Sequence, residues 1–270
     1  MMKIGFIGGG NMAAAMIGGL LRQGFMAKDI QVVEPDPARR AQLAAEFGVG
    51  VEAGAAAGLA VDVLVLAVKP QVLHDVLAAL PPLPSTTCVL SVVAGVRAAD
   101  ISRWLGGHAA VVRSMPNTPA LVGAGMAGLF ALPGANSEQQ SCAERILNAV
   151  GQIVWVSREA DIDAVTAISG SGPAYVFYFI EALEAAAIKL GLPAETARAL
   201  SMHTVYGAAT LALHEPVAPA TLRARVTSKG GTTERGIAVL ESNRFEEVIG
   251  LAAEAAAARA RELGDILGAA

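Results

Sequence analysis

Two short stretches of this 270-residue chain carry residue types that can do chemistry. One is VTSKGGTTERG, residues 226–236, a polar island in an otherwise apolar C-terminal half. Adjacent Gly230 and Gly231 let backbone N–H groups converge with no side chain in the way. Ser228, Thr232 and Thr233 add hydroxyls and Lys229 an ammonium, and an apolar run through Ile237, Val239 and Leu240 follows. A glycine-rich turn ahead of a helix suits an anion, because unpaired N–H groups and the helix dipole face it. The same residues also fit an ordinary helix–turn–helix connection with Thr232 or Thr233 as N-cap. The other stretch is Gly8-x-Gly10-x-x-Ala13, between a β run at residues 3–7 and a helical pattern through Met16, Ile17, Leu20 and Leu21. This is the dinucleotide-binding spacing in its G/A form: a tight turn at Gly8, close backbone approach at Gly10, close helix–strand packing at Ala13. A plain glycine-rich βα turn could share the spacing, but the strand before it and the helix after it favour a nucleotide. Ile7, Gly8, Gly9, Gly10, Asn11 and Met12 are therefore expected at the cofactor.

The elements that must position these stretches come next. Residues 30–34 read as a strand ending in Glu34, 24 positions after Gly10. An acid about 20 residues on meets a ribose 2′-OH and favours NAD, whereas nearby Arg39 could meet a 2′-phosphate and favour NADP. Arg40 reads as a solvated helix residue, and the NAD/NADP choice stays open at this stage. Residues 61–68, VDVLVLAV, form an apolar run typical of a buried parallel strand. The run ends in Ala67, Val68, Lys69 and Pro70, at the carboxyl end where ligands sit in open α/β sheets. Lys69 reads equally as a cofactor neighbour and as a surface charge. Strands at 87–92 and 110–113 lead into Ala94-Gly95 and into Met115-Pro116-Asn117-Thr118-Pro119. The two prolines fix a rigid loop, and Asn117 and Thr118 offer hydrogen bonds there to a nicotinamide carboxamide. A strand at 126–132, a helix around 138–150 and a strand at 153–156 complete a pattern read as βαβ throughout, hence a doubly wound α/β sheet.

After residue 156 the pattern is helical only. SGSGP at 169–173 opens a helix to about 189, and further helices are expected near 195–213, 233–240 and 245–263. The predicted domains are 1–157, a dinucleotide-binding Rossmann-type domain, and 158–270, an all-α substrate-binding and dimerisation domain.

Composition narrows the classes. The chain is 54% hydrophobic and 16% charged with net charge −4, so it can bury a large core, and it lacks the basic runs of a nucleic-acid binder. Cys88 and Cys142 form no CxxC pattern, which points to free thiols in a reducing, cytoplasmic compartment. The N-terminus lacks the pattern of a signal peptide, and no apolar run reaches the ~20 residues of a membrane span. His74, His108, His203 and His214 are scattered, so neither a Ser/His/Asp set nor a metal cluster is expected.

In order along the chain, IGFIGGGNMA, LAVKPQ, SVVAGV, RSMPNTPALVGAGM, AISGSGPAYVFYFIEAL, TVYGAATLA and VTSKGGTT resemble the pyrroline-5-carboxylate reductase family. The resemblance implies reduction of the cyclic imine 1-pyrroline-5-carboxylate to L-proline with NADP(H), NAD(H) also being accepted, as the last step of proline biosynthesis. It implies a helical domain interlocked with a second subunit in a homo-oligomer. It also implies that Ser228, Lys229, Gly230, Gly231, Thr232 and Thr233 hold the substrate carboxylate, with Thr233 near the imine nitrogen; Thr233 and, from its place at a strand's carboxyl end, Lys69 are the catalytic candidates. Members usually have proline where this chain has Lys229, often a small polar residue in place of Glu34, and in some an asparagine near Ala55 that contacts the cofactor. Two other readings share parts of the pattern. A β-hydroxyacid dehydrogenase needs a lysine four residues after Gly172, where this chain has Val176. A non-enzymatic dinucleotide sensor has no need of the polar loop at 226–236.

Overall fold

The computed structural model describes residues 2–54 and 59–269, and by packing the chain divides into two units. The first comprises Met1–Ser171 with Ala255–Ala270, and the second Gly172–Glu254.

The first unit is built on eight strands: β1 (Ile4–Ile7), β2 (Ile30–Val33), β3 (Gly50–Glu52), β4 (Val63–Leu66), β5 (Cys88–Ser91), β6 (Val111–Met115), β7 (Gly125–Ala131) and β8 (Gly151–Trp155). Their order in the sheet is β3-β2-β1-β4-β5-β6-β7-β8. Helices α1 (Asn11–Arg22), α2 (Pro37–Phe47), α3 (Pro70–Ala78), α4 (Ala98–Trp104) and α5 (Ser137–Leu147) cover it. Strand parity assigns the two faces. In β4, Val63 and Val65 join a core with Met16, Ile17 and Leu20 of α1 and Ile146 of α5. Leu64 and Leu66 join the other core, with Leu73 and Leu77 of α3 and Ile101 of α4. All four β4 residues are fully buried, which is why that stretch lacks polar alternation. Local chemistry sets helix ends: Asp36 accepts from Ala38 N at 2.9 Å to start α2, Gly48 at φ 66° ends it, and Asn136 with Gln139 forms a capping box on α5.

Among the described residues the sheet departs from parallel pairing at one place. β7 runs antiparallel to β6, with Arg113 opposite Phe130, while β8 is parallel to β7. Residues 116–124, with a 3₁₀ turn at Thr118–Val122, link β6 to β7. A parallel crossover takes about a dozen residues or more, so this link permits only the reversed strand.

Past β8, α6 (Asp161–Val165) runs straight into a π turn at Thr166–Gly170, closed by Ser171 N donating to Thr166 O at 2.8 Å. Arg113 and Glu159 form a largely buried ion pair at 3.1 Å, and Glu159 also accepts from Ala98 N at 2.6 Å. One carboxylate thereby ties β6, the start of α4 and the segment after β8.

The second unit is helical: α7 (Gly172–Lys189), α8 (Ala194–His214), α9 (Pro219–Arg225), α10 (Thr232–Ser242) and the first residues of α11 (Phe245–Gly268), whose last turns belong to the first unit. Gly191, at φ 96°, ends α7. Within the unit only Ala197 and Ser201 are buried, whereas Tyr178, Tyr206, Leu190 and Leu213 are 70–87% exposed. Burying one large apolar side chain contributes about 1.5–3 kcal/mol, and the lone chain leaves these uncovered. No helix among the described residues is long and apolar enough to cross a membrane.

Candidate active site

Because β1, β4, β5 and β6 are mutually parallel, their carboxyl ends share one sheet edge. The fold therefore brings Gly8–Gly10, Ala67–Pro70, Ala94–Gly95 and Met115–Asn117 to that edge. The order of the strands reverses between β1 and β4, and such a switch point is where these sheets bind ligands.

At the switch point, Ala67 N donates to Ile7 O and Gly8 N to Val33 O, both at 2.8 Å. Gly8 adopts φ 97°, and a Cβ there would lie 2.6 Å from Ala67 O, so only glycine fits. A Cβ on Gly9 would lie 2.5 Å from Leu43 Cδ1, whereas one on Gly10 would meet nothing within 4 Å. Gly10 is the N-cap of α1 and has no side-chain cap, so the first N–H groups of α1, beginning at Asn11 and Met12, have no carbonyl partner within the helix. Open space over uncapped N–H groups fits a dinucleotide's pyrophosphate.

Beside this turn, Glu34 is fully engaged. Its Oε2 accepts from Gly9 N at 2.8 Å and its Oε1 from Asp36 N at 2.9 Å. Arg39 Nε donates to Gly9 O at 2.6 Å and its Nη1 to Gln42. Glu34 and Arg39 thus grip one residue of the glycine turn from both sides. Arg40, expected to be solvated, instead donates to the carbonyls of Glu34 and Pro35 at 2.7 and 2.8 Å.

Lys69 is exposed and serves as the N-cap position of α3, ahead of Pro70, with no side-chain cap. Ala94 is exposed. Gly95, at φ 76°, lies beneath α11: a Cβ there would meet Leu267 at 3.0 Å and Leu263 at 3.3 Å. Pro116 and Asn117 are buried. The Asn117 side chain closes its own loop, donating to Ser169 O at 3.0 Å and accepting from Met126 N at 2.9 Å. Met115 packs where a Gly170 Cβ would stand, 2.8 Å from its Cε. Sequence reasoning gave Asn117 to a nicotinamide and missed this second role; the signal was a buried-strand exit followed by two prolines, a loop that needs an internal tie. Ala55 lies outside the described residues.

The polar stretch of the second unit is a turn followed by α10. Gly231 N donates to Ser228 O at 3.0 Å and Gly230 adopts φ 73°, the pattern of a type II turn with Lys229 at its second position. That position favours proline, and lysine fills it here without a positive φ. Gly231 is the N-cap and carries no side-chain cap; Thr232 and Thr233 are the first helical residues, so neither hydroxyl caps. A Cβ on Gly231 would lie 2.7 Å from Ser228 Oγ. Ser228, Lys229, Thr232 and Thr233 are exposed, and Gly230 N donates to Glu234 Oε2 at 2.7 Å.

Other chemistries find little material. No group of three metal-capable side chains comes together among the described residues. Burial pushes the Cys88 thiol up to about 12 and raises Cys142 as well, so both stay thiols near neutrality. His108 Nε2 lies 2.8 Å from Thr87 O, and His74 packs edge-on against Trp104.

Comparison with known proteins agrees with this geometry. Residues 159–263 match the family model of pyrroline-5-carboxylate reductase dimerisation, and residues 3–95 match NADP oxidoreductase, coenzyme F420-dependent. A pyrroline-5-carboxylate reductase of Pseudomonas aeruginosa is 47% identical, with 98% of each chain covered. The chain belongs to the pyrroline-5-carboxylate reductase family. A solved family structure from Coxiella burnetii superposes with a TM-score of 0.92 at 43% identity, covering 97% of this chain and 98% of that one. A Plasmodium falciparum member, solved with NADP bound, gives 0.84 at 29% identity over 97% and 98%.

Proposed function

We propose that this chain reduces 1-pyrroline-5-carboxylate to L-proline in the cytoplasm, with NADP(H) as its cofactor and NAD(H) accepted, as a homo-oligomer joined through its helical unit. The observation that carries the reading is 47% identity to a named reductase over 98% of both chains. The glycine turns that end in Gly10 and Gly231, each the N-cap of a helix with no side-chain cap, support it from the chemistry.

The reduced nicotinamide supplies, when bound, the hydride that forms the new C–H bond at the imine carbon. The chain's own residues position and polarise. Gly10, Asn11 and Met12 hold the pyrophosphate on backbone N–H groups, while Gly8 and Gly9, whose N–H groups go to Val33 O and Glu34 Oε2, shape the turn, and the edge loops at Ala67–Pro70, Ala94–Gly95 and Met115–Asn117 line the rest of the cofactor. Ser228, Gly230, Gly231 and Thr232 hold the substrate carboxylate, and Lys229 adds positive charge beside it. The Thr233 hydroxyl hydrogen-bonds the ring nitrogen and holds its proton while the C=N π pair withdraws onto nitrogen. Lys69 lends charge at the cofactor edge. A protonated imine is already electrophilic, so no strong base is required.

The test is loss of NADPH absorbance when purified protein meets the imine, with L-proline identified as product. Turnover of a β-hydroxy acid instead, or coenzyme binding with no turnover, would overturn the reading in favour of a dehydrogenase or a sensor.

A further inference from the structure

The turn that the proposed function gives to the substrate carboxylate already holds a carboxylate. Glu234, in the first turn of α10, reaches back four residues, and its Oε2 accepts from Gly230 N at 2.7 Å. Gly230 sits at φ 73° inside the turn that Gly231 N closes on Ser228 O, and its own N–H is left for Glu234. The next N–H groups, of Thr232 and Thr233, belong to the uncapped first turn of α10, and helix geometry gives them no preceding carbonyl. A carboxylate arriving at this turn therefore finds one of its N–H groups taken by an acceptor of its own kind.

We propose that Glu234 is a built-in competitor that sets the affinity of the loop for the substrate carboxylate. The inference rests on the reading of Ser228–Thr233 as the carboxylate site. Glu234 brings a negative charge and a hydrogen-bond acceptor to the place where the substrate brings both. Binding exchanges one carboxylate for the other at Gly230 N, so the side chain weakens ground-state binding of any carboxylate ligand. It does not touch the reacting atoms, and its effect falls on KM and on product affinity rather than on kcat. The exchange also keeps the turn ordered between turnovers. Asp at this position is one methylene shorter than the side chain that reaches Gly230 N, and Gln keeps the reach while losing the charge.

The experiment is steady-state kinetics of Glu234→Ala, Glu234→Asp and Glu234→Gln, with L-proline inhibition constants and NADPH affinity alongside. A charge-assisted hydrogen bond at an exposed site is modest, so Glu234→Ala and Glu234→Asp should lower KM for the imine by roughly 2–10-fold. The L-proline inhibition constant should fall in parallel, kcat should stay within about twofold, and NADPH affinity should be unchanged. Glu234→Gln should fall between these variants and wild type. Unchanged or raised KM in Glu234→Ala overturns the proposal. Ser228→Ala separates the two levels of the argument. If it raises KM while Glu234→Ala has no effect, the loop binds carboxylate and Glu234 is no competitor. If neither variant moves KM, the carboxylate site itself lies elsewhere and both readings fall.

Discussion

β4 and α7 are both apolar in sequence, yet they end in opposite places. Every residue of β4 is fully buried, between helices on both sheet faces; no residue of α7 is buried, and Phe177 and Tyr178 are 58% and 75% exposed. The first unit completes its core within the chain, while the second presents apolar helix faces that its own elements leave open. Apolar composition fixes how much surface must be covered, and topology decides whether one chain can cover it. An exposed apolar area of this extent marks an interface, which agrees with the match of residues 159–263 to a dimerisation domain.

The sharpest way to break this contrast is to charge the open faces. Tyr206→Glu combined with Leu213→Glu should raise the dissociation constant of the assembly by at least about 100-fold, because unpaired charges in an apolar interface cost several kcal/mol. Light scattering at micromolar concentration should show the variant as monomer and the parent as dimer or larger. A monomeric parent would end the argument that the second unit needs a partner.

Chemistry should divide along the same line. Thr233→Val removes a hydroxyl from the second unit and should lower kcat and kcat/KM together by roughly 10–1000-fold, with NADPH affinity measured by fluorescence barely changed. Lys229→Ala should raise KM and leave kcat alone. If Thr233→Val turns over at the parent rate, the loop only cradles the carboxylate.

A smaller effect belongs to the first unit. Glu34→Ser removes the acid from the ribose side and should shift the ratio of catalytic efficiencies toward NADPH by a few-fold up to about 10-fold. It also frees Gly9 N from a 2.8 Å hydrogen bond, so affinity for both coenzymes should weaken. An unchanged ratio would mean that Glu34 serves the glycine turn alone.

The smallest effect tests burial itself. With its thiol held up to about 12, Cys88 should resist alkylation at pH 8 in native protein and react once the chain is unfolded. Rapid native labelling of Cys88, read by mass spectrometry, would show that the first core opens more readily than its packing implies.

Much of the first unit could be read from the chain because strand and turn chemistry are local: the glycines at 8–10, the run at 63–66 and the Met115–Asn117 exit lie at the places their types demand. β3 at Gly50–Glu52 and α9 at Pro219–Arg225 were not legible, since three and seven residues are too short to display a period. The reversal of β7 was legible in principle, from a link too short to cross the sheet. Within the site, residue types located the glycine turns, but not which acceptors hold them. The grips of Glu34 and Arg39 on Gly9, and of Glu234 on Gly230, depend on side-chain reach across turns that sequence spacing does not reveal.

The last turns of α11 belong with the first unit, where Arg97 pairs with Asp265, Arg103 Nη2 donates to Gly268 O at 2.7 Å, and Leu263 and Leu267 pack beside Gly95. During synthesis these residues leave the ribosome only after the entire helical unit has emerged. The Ala94–Gly95 loop at the cofactor edge therefore waits, uncovered, until the helical unit has been made, and the dinucleotide-binding layer is made before that unit and closed after it.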